Sequence, residues 1–167
     1  MFKIEFKIVS SEYDDFVGQN GFFKISCNDF SYGEIFSEEL EQIMDKVSVL
    51  DWIERLIKVL EHLKNSDYVA LSDTESYNTW IEFKKLDDQL VVSIRQAQKE
   101  DGSRDIEYKL NNATEGDWKN QIVSFQEVKD EVITKAQDYL AYVYSKNENK
   151  ELFRQFESKI ERLYNFE

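Results

Sequence analysis

Apolar and charged residues alternate at the start of the chain. Successive positions there are Phe2, Lys3, Ile4, Glu5, Phe6, Lys7 and Ile8. A period of two predicts a half-buried strand over residues 2–8. Turn-forming residues delimit two further strands, at 22–27 and 30–36. The opening therefore predicts an antiparallel meander, and the Glu-rich stretch at 37–47 that follows suits either a short helix or a loop.

Helical periodicity begins after Ser48. Apolar residues then recur every three or four positions, at Leu50, Ile53, Leu56, Ile57, Leu60 and Leu63. Ser48 and Asp51 have the spacing of a capping box, in which a side chain accepts hydrogen bonds from the first helical N–H groups. The pattern predicts a helix over residues 49–65 that packs on the sheet through its apolar stripe.

Short strand-like segments follow this helix. Residues 68–71 are apolar, residues 79–84 and 90–96 alternate as the two arms of a hairpin, and residues 106–110 alternate again. In the hairpin, Ile81, Phe83, Val92 and Ile94 are predicted to face one way. The polar residues are predicted to face the other way, at Glu82, Lys84, Ser93 and Arg95.

Two helical stripes close the chain. Ser124 and Glu127 form a second capping-box pattern, and apolar residues then predict helices over 124–146 and 149–164. Because their link is short, these helices should form an antiparallel hairpin. The order of elements predicts an α+β fold, with an antiparallel sheet carrying one internal helix and a C-terminal helical hairpin, in a single domain of residues 1–167.

Composition indicates a folded chain and bears on the cellular compartment in which it is expected. Hydrophobic residues make up 41% of the sequence and there is no proline to mark a linker. Neither a signal peptide nor an apolar run long enough to span a membrane is visible, so a soluble, cytoplasmic protein is expected. The single cysteine, Cys27, rules out an internal disulfide and is expected to be a small buried strand residue.

Acidic residues dominate the charge. The chain has 34 acids against 21 bases, a net charge of −13, and residues 10–54 hold eleven of the acids but only Lys24 and Lys46 as bases. A nucleic-acid partner and an anionic membrane are disfavoured by repulsion. A basic protein partner is favoured, since opposite potentials steer association. The alternative is that the acids only keep the protein soluble.

Candidate catalytic groups are few. One histidine, His62, lies on the polar side of the predicted helix, and neither a Cys–His pair, a Cys/His zinc site nor a glycine-rich phosphate loop is recognisable. No cofactor or metal is therefore predicted. Only the carboxylates of Asp73 and Glu75, after a strand, suggest an acid–base or metal pair, and the turn and capping roles of acids after strands, or chance clustering among 34 acids, are favoured as their explanation.

Aromatic residues in polar, turn-like stretches suggest a binding surface. Tyr13, Tyr32, Tyr77 and Trp118 are of this kind, and they either anchor a protein partner or cover the edges of the core. Combining them with the acid-rich segment gives a candidate partner-binding set. Its members are Tyr13, Asp14, Asp15, Asp29, Tyr32, Glu34, Glu38, Glu39, Glu41 and Asp45.

Two stretches carry a resemblance to a known class of protein. They are Asn20–Ile25 continuing through Phe30–Gly33, with an aromatic strand after glycine and a Tyr-Gly turn, and Ser76–Phe83. These resemble immunity proteins of bacterial polymorphic-toxin systems. The resemblance implies a small, acidic, cytosolic, non-enzymatic inhibitor that binds a toxin domain. Other possibilities are a scaffold protein, a DNA mimic that inhibits a nuclease, and a carboxylate-dependent enzyme.

Overall fold

The first four strands form an antiparallel N-terminal sheet. In the computed structural model, which describes residues 1–165, they are β1 (Phe2–Ile8), β2 (Asn20–Cys27), β3 (Phe30–Gly33) and β4 (Val47–Ser48). β2 lies in the centre, with β1 on one edge and both β3 and β4 on the other. The predicted strand at 30–36 ends at Gly33, because the chain there leaves the sheet and returns to the same edge of β2 at Val47.

The remaining strands form a second antiparallel sheet, the central sheet. They are β5 (Tyr68–Ser72), β6 (Thr79–Leu86), β7 (Gln89–Gln96), β8 (Ile106–Glu107), β9 (Thr114–Glu115) and β10 (Gln121–Ser124). The order is β10-β7-β6-β5-β8, with β9 also paired to β7. The predicted hairpin is confirmed, whereas the strand expected at 106–110 has only two residues and the strand at Gln121 was not predicted. The strands thus divide between two sheets.

The predicted polar face of the hairpin is not solvent-exposed throughout. Glu82 and Ser93 are buried, at 4% and 1% exposure. Glu82 accepts a 2.9 Å hydrogen bond from the Tyr68 hydroxyl and lies 3.1 Å from the Lys84 ammonium group. The Ser93 hydroxyl accepts from the Asn120 N–H at 2.8 Å. Both residues are buried because segments outside the hairpin cover that face of the central sheet and supply their polar partners.

Three α-helices confirm the α+β prediction. They are α1 (Val49–Leu63), α2 (Phe125–Lys146) and, after a 3₁₀ turn at Lys150–Phe153, α3 (Arg154–Tyr164). Ser48 and Ser124 cap α1 and α2 as expected, each accepting from the N–H three residues on. Apart from half-buried Leu50, the predicted α1 stripe is fully buried. α1 contacts both sheets, α2 and α3, which makes it the central element of the core.

Helix α2 closes the outer edge of β1. The N–H groups of Phe2 and Ile4 donate to the carboxylates of Glu127 and Glu131, at 2.7 Å in both cases. Since the two glutamates are four residues apart, they lie on one face of α2 and meet alternate residues of the strand. On this edge of the N-terminal sheet, two backbone N–H groups therefore donate to side chains instead of to another strand. Among residues 1–165, no helix is both long enough and apolar enough to cross a membrane.

Candidate functional site

A pocket of about 330 Å³ opens between the N-terminal sheet and the loop that follows β5. Its apolar wall comes from the core side of the sheet edge and from α1, and its polar wall from the loop at residues 73–78. The lining residues are Phe23, Ile25, Tyr32, Gly33, Val47, Trp52, Asp73 and Glu75. The volume falls within the ~300–1,000 Å³ typical of ligand pockets.

Aromatic rings form one side of the pocket. Phe23 and Trp52 stack with their ring centroids 5.5 Å apart, and Tyr32 is tilted against Trp52 at 6.5 Å. The guanidinium carbon of Arg55 lies 4.3 Å from the centroid of the Trp52 ring. This is a cation–π contact in a largely desolvated setting, where such contacts are strongest. The pocket wall consequently already includes one stacked guanidinium group.

Asp73 organises the polar side. Its Oδ2 accepts a short hydrogen bond from the Tyr32 hydroxyl, and its Oδ1 accepts from the Glu75 N–H at 3.0 Å. Burial, followed by the hydrogen bond to Asp73, raises the pKa of Tyr32 well above its ordinary value. Tyr32 therefore remains a neutral phenol and a permanent donor to a carboxylate that is itself 9% exposed.

Two cations support the loop through its carbonyl groups. Arg55 donates to the Ser72 carbonyl at 2.6 Å, and Lys99 donates to the carbonyls of Ser76, at 2.5 Å, and Asp73. Burial lowers the pKa of both cations, although nearby carboxylates oppose the shift. Because their hydrogen bonds go to carbonyl oxygens, neither cation forms an ion pair with the carboxylates of Asp73 or Glu75 within residues 1–165.

Glu75 lies at the mouth of the pocket without a partner. Its side chain is exposed overall, yet desolvation of the carboxyl group, followed by repulsion from Asp73, raises its pKa. Arg55 opposes this shift and Asp45 reinforces it. No described residue donates a hydrogen bond to the Glu75 carboxylate. The pocket thus presents a carboxyl group whose charged form accepts no hydrogen bond from a described residue and is favoured only by the charge of Arg55.

Residues 34–46, which we name the edge loop, leave and rejoin the sheet beside this pocket. Gly33 pairs with Lys24 and Val47 pairs with Gly21, so the ends of the loop are held close together on β2. Gly33 has φ of +83°, and a Cβ there would collide with the Phe23 carbonyl oxygen, so glycine is required. A short excursion with adjacent ends is typical of Ω-loops, which are frequently functional.

Side chains from the sheet hold the edge loop in place. Lys7 donates to the Phe36 carbonyl at 3.2 Å and forms a close ion pair with Glu41. Phe36 packs edge-to-face on Phe22, with 5.1 Å between ring centroids. The loop is therefore fixed on the surface of the sheet, although it contains only turns.

The edge loop presents most of the predicted acidic set. Glu34, Glu38, Glu39 and Asp45 are exposed, whereas Glu41 is half-buried in its ion pair with Lys7. Two apolar side chains of the same loop are also exposed, Leu40 at 38% and Ile43 at 73%. The acids and the apolar side chains are thus exposed together on one loop of the N-terminal sheet.

The earlier acids of the set lie elsewhere. Asp14 accepts from the Ser11 N–H and the Asn20 amide, and Asp15 contacts Gln19, so both help to fold the loop before β2. Tyr13, in this loop, is 87% exposed. Asp29 is exposed in the turn after β2, at the other end of an eight-residue strand, about 25 Å away. Residues 10–54 therefore supply several separate acidic groups, of which the edge loop is the largest.

The aromatic candidates divide between surface and core. Tyr77 is 95% exposed, like Tyr13, but Trp118 is only 2% exposed and stacks on Phe30. Tyr32 is half-buried in β3 and lines the pocket. For Trp118 a surface role is wrong, because this ring covers the edge of the core, which was the alternative interpretation.

Several pocket residues were not identified from the sequence. Trp52, which lines the pocket, and Arg55, which stacks on it, belong to α1 but were not part of its predicted stripe, and Lys99, which supports the loop, was not singled out. The sequence does hold one signal for this site. Arg55 is a charged residue within the apolar surface of the predicted helix. By contrast, Asp73 and Glu75 had been singled out, and the structure places both in the pocket. In the described part of the chain, no group of three or more His, Cys, Asp or Glu side chains is arranged to hold a metal.

The two lone reactive residues lie apart from the pocket. Cys27 is fully buried in β2, as expected, and burial raises the pKa of its thiol to about 11. His62 is half-exposed on α1 and contacts the ring and hydroxyl group of Tyr108. Neither side chain has the neighbours of a nucleophile–base pair.

Comparison with known proteins gives no relative from which a role could be transferred. No protein-family model, curated protein or solved structure matches the chain.

Proposed function

We propose that this chain is a non-enzymatic protein-binding module that acts in the cytoplasm as an immunity-like inhibitor. Its partner would be a basic protein domain, in this interpretation a toxin domain, and not a nucleic acid or a membrane. The edge loop would dock on the basic surface of the toxin, and the body of the chain would occlude the toxin's active site.

One observation carries this proposal. The edge loop combines the exposed acids Glu34, Glu38, Glu39 and Asp45 with exposed Leu40 and Ile43. Exposed apolar side chains supply contact energy at protein interfaces, while a surrounding field of one sign accelerates encounter with a partner of the opposite sign. A surface that served only solubility would have no need for a 73% exposed isoleucine among its acids.

The anchoring of the loop supports the same role. Lys7 and Phe22 fix the loop before any partner arrives. A loop held in its binding conformation avoids part of the ordering cost of association, which favours tight binding. A scaffold protein whose acids only kept it soluble would not need a loop anchored in this way.

The proposal is tested by reversing charge on the edge loop. The partner is isolated from the producing cells on the tagged chain and purified, and its association rate with each variant is measured by stopped-flow fluorescence. The test variant changes Glu34, Glu38, Glu39 and Asp45 to Lys. The control variant makes the same change in net charge by replacing four exposed acids elsewhere with Lys, at Asp101, Asp117, Glu148 and Glu161.

We expect the edge-loop variant to associate about tenfold more slowly, or worse, at low salt, and the control to retain most of the wild-type rate. Added salt should slow the wild type and reduce the difference. Thermal unfolding should change little in either variant, because exposed charges contribute little to stability. Equal rates for the two variants, or a partner without a basic surface, would refute the proposal.

A further inference from the structure

The pocket beside the edge loop combines three features that point to one kind of ligand. Its wall is aromatic, formed by Phe23, Tyr32 and Trp52. Its polar side carries two carboxylates, those of Asp73 and Glu75, that form no ion pair with a cation among the described residues, although the charge of Arg55 acts on both. Its volume of about 330 Å³ is that of a small ligand or a single long side chain. A planar cation satisfies all three features, because it stacks on aromatic faces and binds carboxylates through two parallel hydrogen bonds.

We propose that the pocket receives an arginine side chain of the partner, with the guanidinium group between the aromatic wall and the carboxylates of Asp73 and Glu75. This inference rests on the proposed function for the source of the arginine. The chemistry of the pocket can nevertheless be tested without any partner.

The protein's own Arg55 shows how this wall accepts a guanidinium group. Its guanidinium carbon lies 4.3 Å from the Trp52 ring centroid, while its nitrogens donate to the carbonyls of Asp51 and Ser72. The hydrogen bonds of Arg55 therefore go to the main chain, and it acts on the carboxylates of Asp73 and Glu75 only through its charge. Arginine is preferred over lysine as ligand, because a compact ammonium group neither stacks nor forms the bidentate contact.

The surrounding charges favour the same ligand. Gly33 and Val47 line the pocket and adjoin the two ends of the edge loop, and Asp45 of that loop acts electrostatically on Glu75. Burial, followed by repulsion from Asp73 and Asp45, raises the pKa of Glu75, and the positive charge of Arg55 offsets only part of this shift. An arriving cation would relieve this repulsion, so binding and ionisation of Glu75 should reinforce each other.

The experiment titrates the whole chain with N-acetyl-L-arginine methylamide and follows amide and indole signals by NMR. The neutral isostere N-acetyl-L-citrulline methylamide and the lysine analogue serve as comparison probes. Signals of the three tryptophans are assigned by single Trp→Phe variants. We expect the arginine probe to shift the Trp52 indole signal and the Glu75 amide, with at least about fivefold weaker binding of the citrulline probe.

Glu75→Gln should weaken arginine-probe binding by about fivefold, whereas the exposed control Glu100→Gln should leave it unchanged. Glu75 is exposed, so the variant should fold, and its melting temperature verifies this. Absence of binding, equal binding of citrulline or lysine probes, or an unchanged affinity in Glu75→Gln would each overturn the arginine pocket. These failures are distinguishable from failure of the proposed function, since the edge-loop variant tests that function through the partner's association rate.

Discussion

The carboxylates that cover the edge of β1 give a stability prediction with a calculable size. Glu131 accepts the Ile4 N–H at 2.7 Å, and its side chain lies mid-helix, away from the capping groups of α2. Hydrogen bonds to charged groups contribute about 1.5–3 kcal/mol. Water can reach this partly buried site, and alanine is the better helix former by a few tenths of a kcal/mol. We therefore expect Glu131→Ala to lower the free energy of unfolding by about 1–2 kcal/mol.

The assay is urea unfolding at neutral pH, combined with hydrogen exchange of the Ile4 amide. A loss of this size should lower the melting temperature by roughly 3–6 °C in a chain of this length. Glu161→Ala, at an exposed mid-helix position of α3, is the matched control and should stay within about 0.5 kcal/mol of wild type. Equal stability of the two variants, or unchanged exchange at Ile4, would show that the edge hydrogen bond does not stabilise the fold.

The remaining predictions concern the core, the loop and the two lone reactive groups. Leu60→Ala should cost ~2–5 kcal/mol in urea unfolding, whereas Leu50→Ala, at a half-buried position of the same helix, should cost clearly less. Gly33→Ala should cost about 1–3 kcal/mol from its φ of +83° alone, and a near-neutral result would contradict the geometry. Cys27 should react with iodoacetamide at pH 8 only after denaturation, because burial raises its thiol pKa to about 11 and leaves almost no thiolate. His62→Ala and Cys27→Ser should leave partner binding unchanged, and loss of binding in either folded variant would reopen a catalytic interpretation.

Local patterns predicted the elements whose stabilising contacts are local. Ser48 and Ser124 begin α1 and α2 as their capping patterns indicated, since the N–H groups they bind are three residues away. The hairpin of β6 and β7 was likewise readable from alternation on both sides of an acidic turn. The two-residue strand β9 carries too few positions for any period, so sequence alone could not identify it, and β8 keeps only the first two residues of the strand predicted at 106–110.

Contacts between distant segments account for what was missed. Tyr32 and Asp73 are 41 residues apart, and their hydrogen bond forms only because β5 and β2, the strand that pairs with β3, both pack on α1. Glu82 was predicted on a polar face, but its burial depends on Tyr68 and on segments beyond the hairpin. The acids of the pocket were visible in the sequence, whereas the aromatic wall and the placement of the supporting cations follow from the tertiary fold.

The attachment of the edge loop has a consequence for sequence variation. Both of its ends are fixed on one edge of β2, so the residues between them, apart from Phe36 on Phe22 and Glu41 on Lys7, can change without moving a strand. Doubling the length of a flexible loop costs only about 0.6 kcal/mol in closure entropy. Related chains could therefore present loops of different length and charge on the same frame. Under the proposed function, a new partner would then be recognised through a change in the edge loop alone, while the hydrophobic core stays the same.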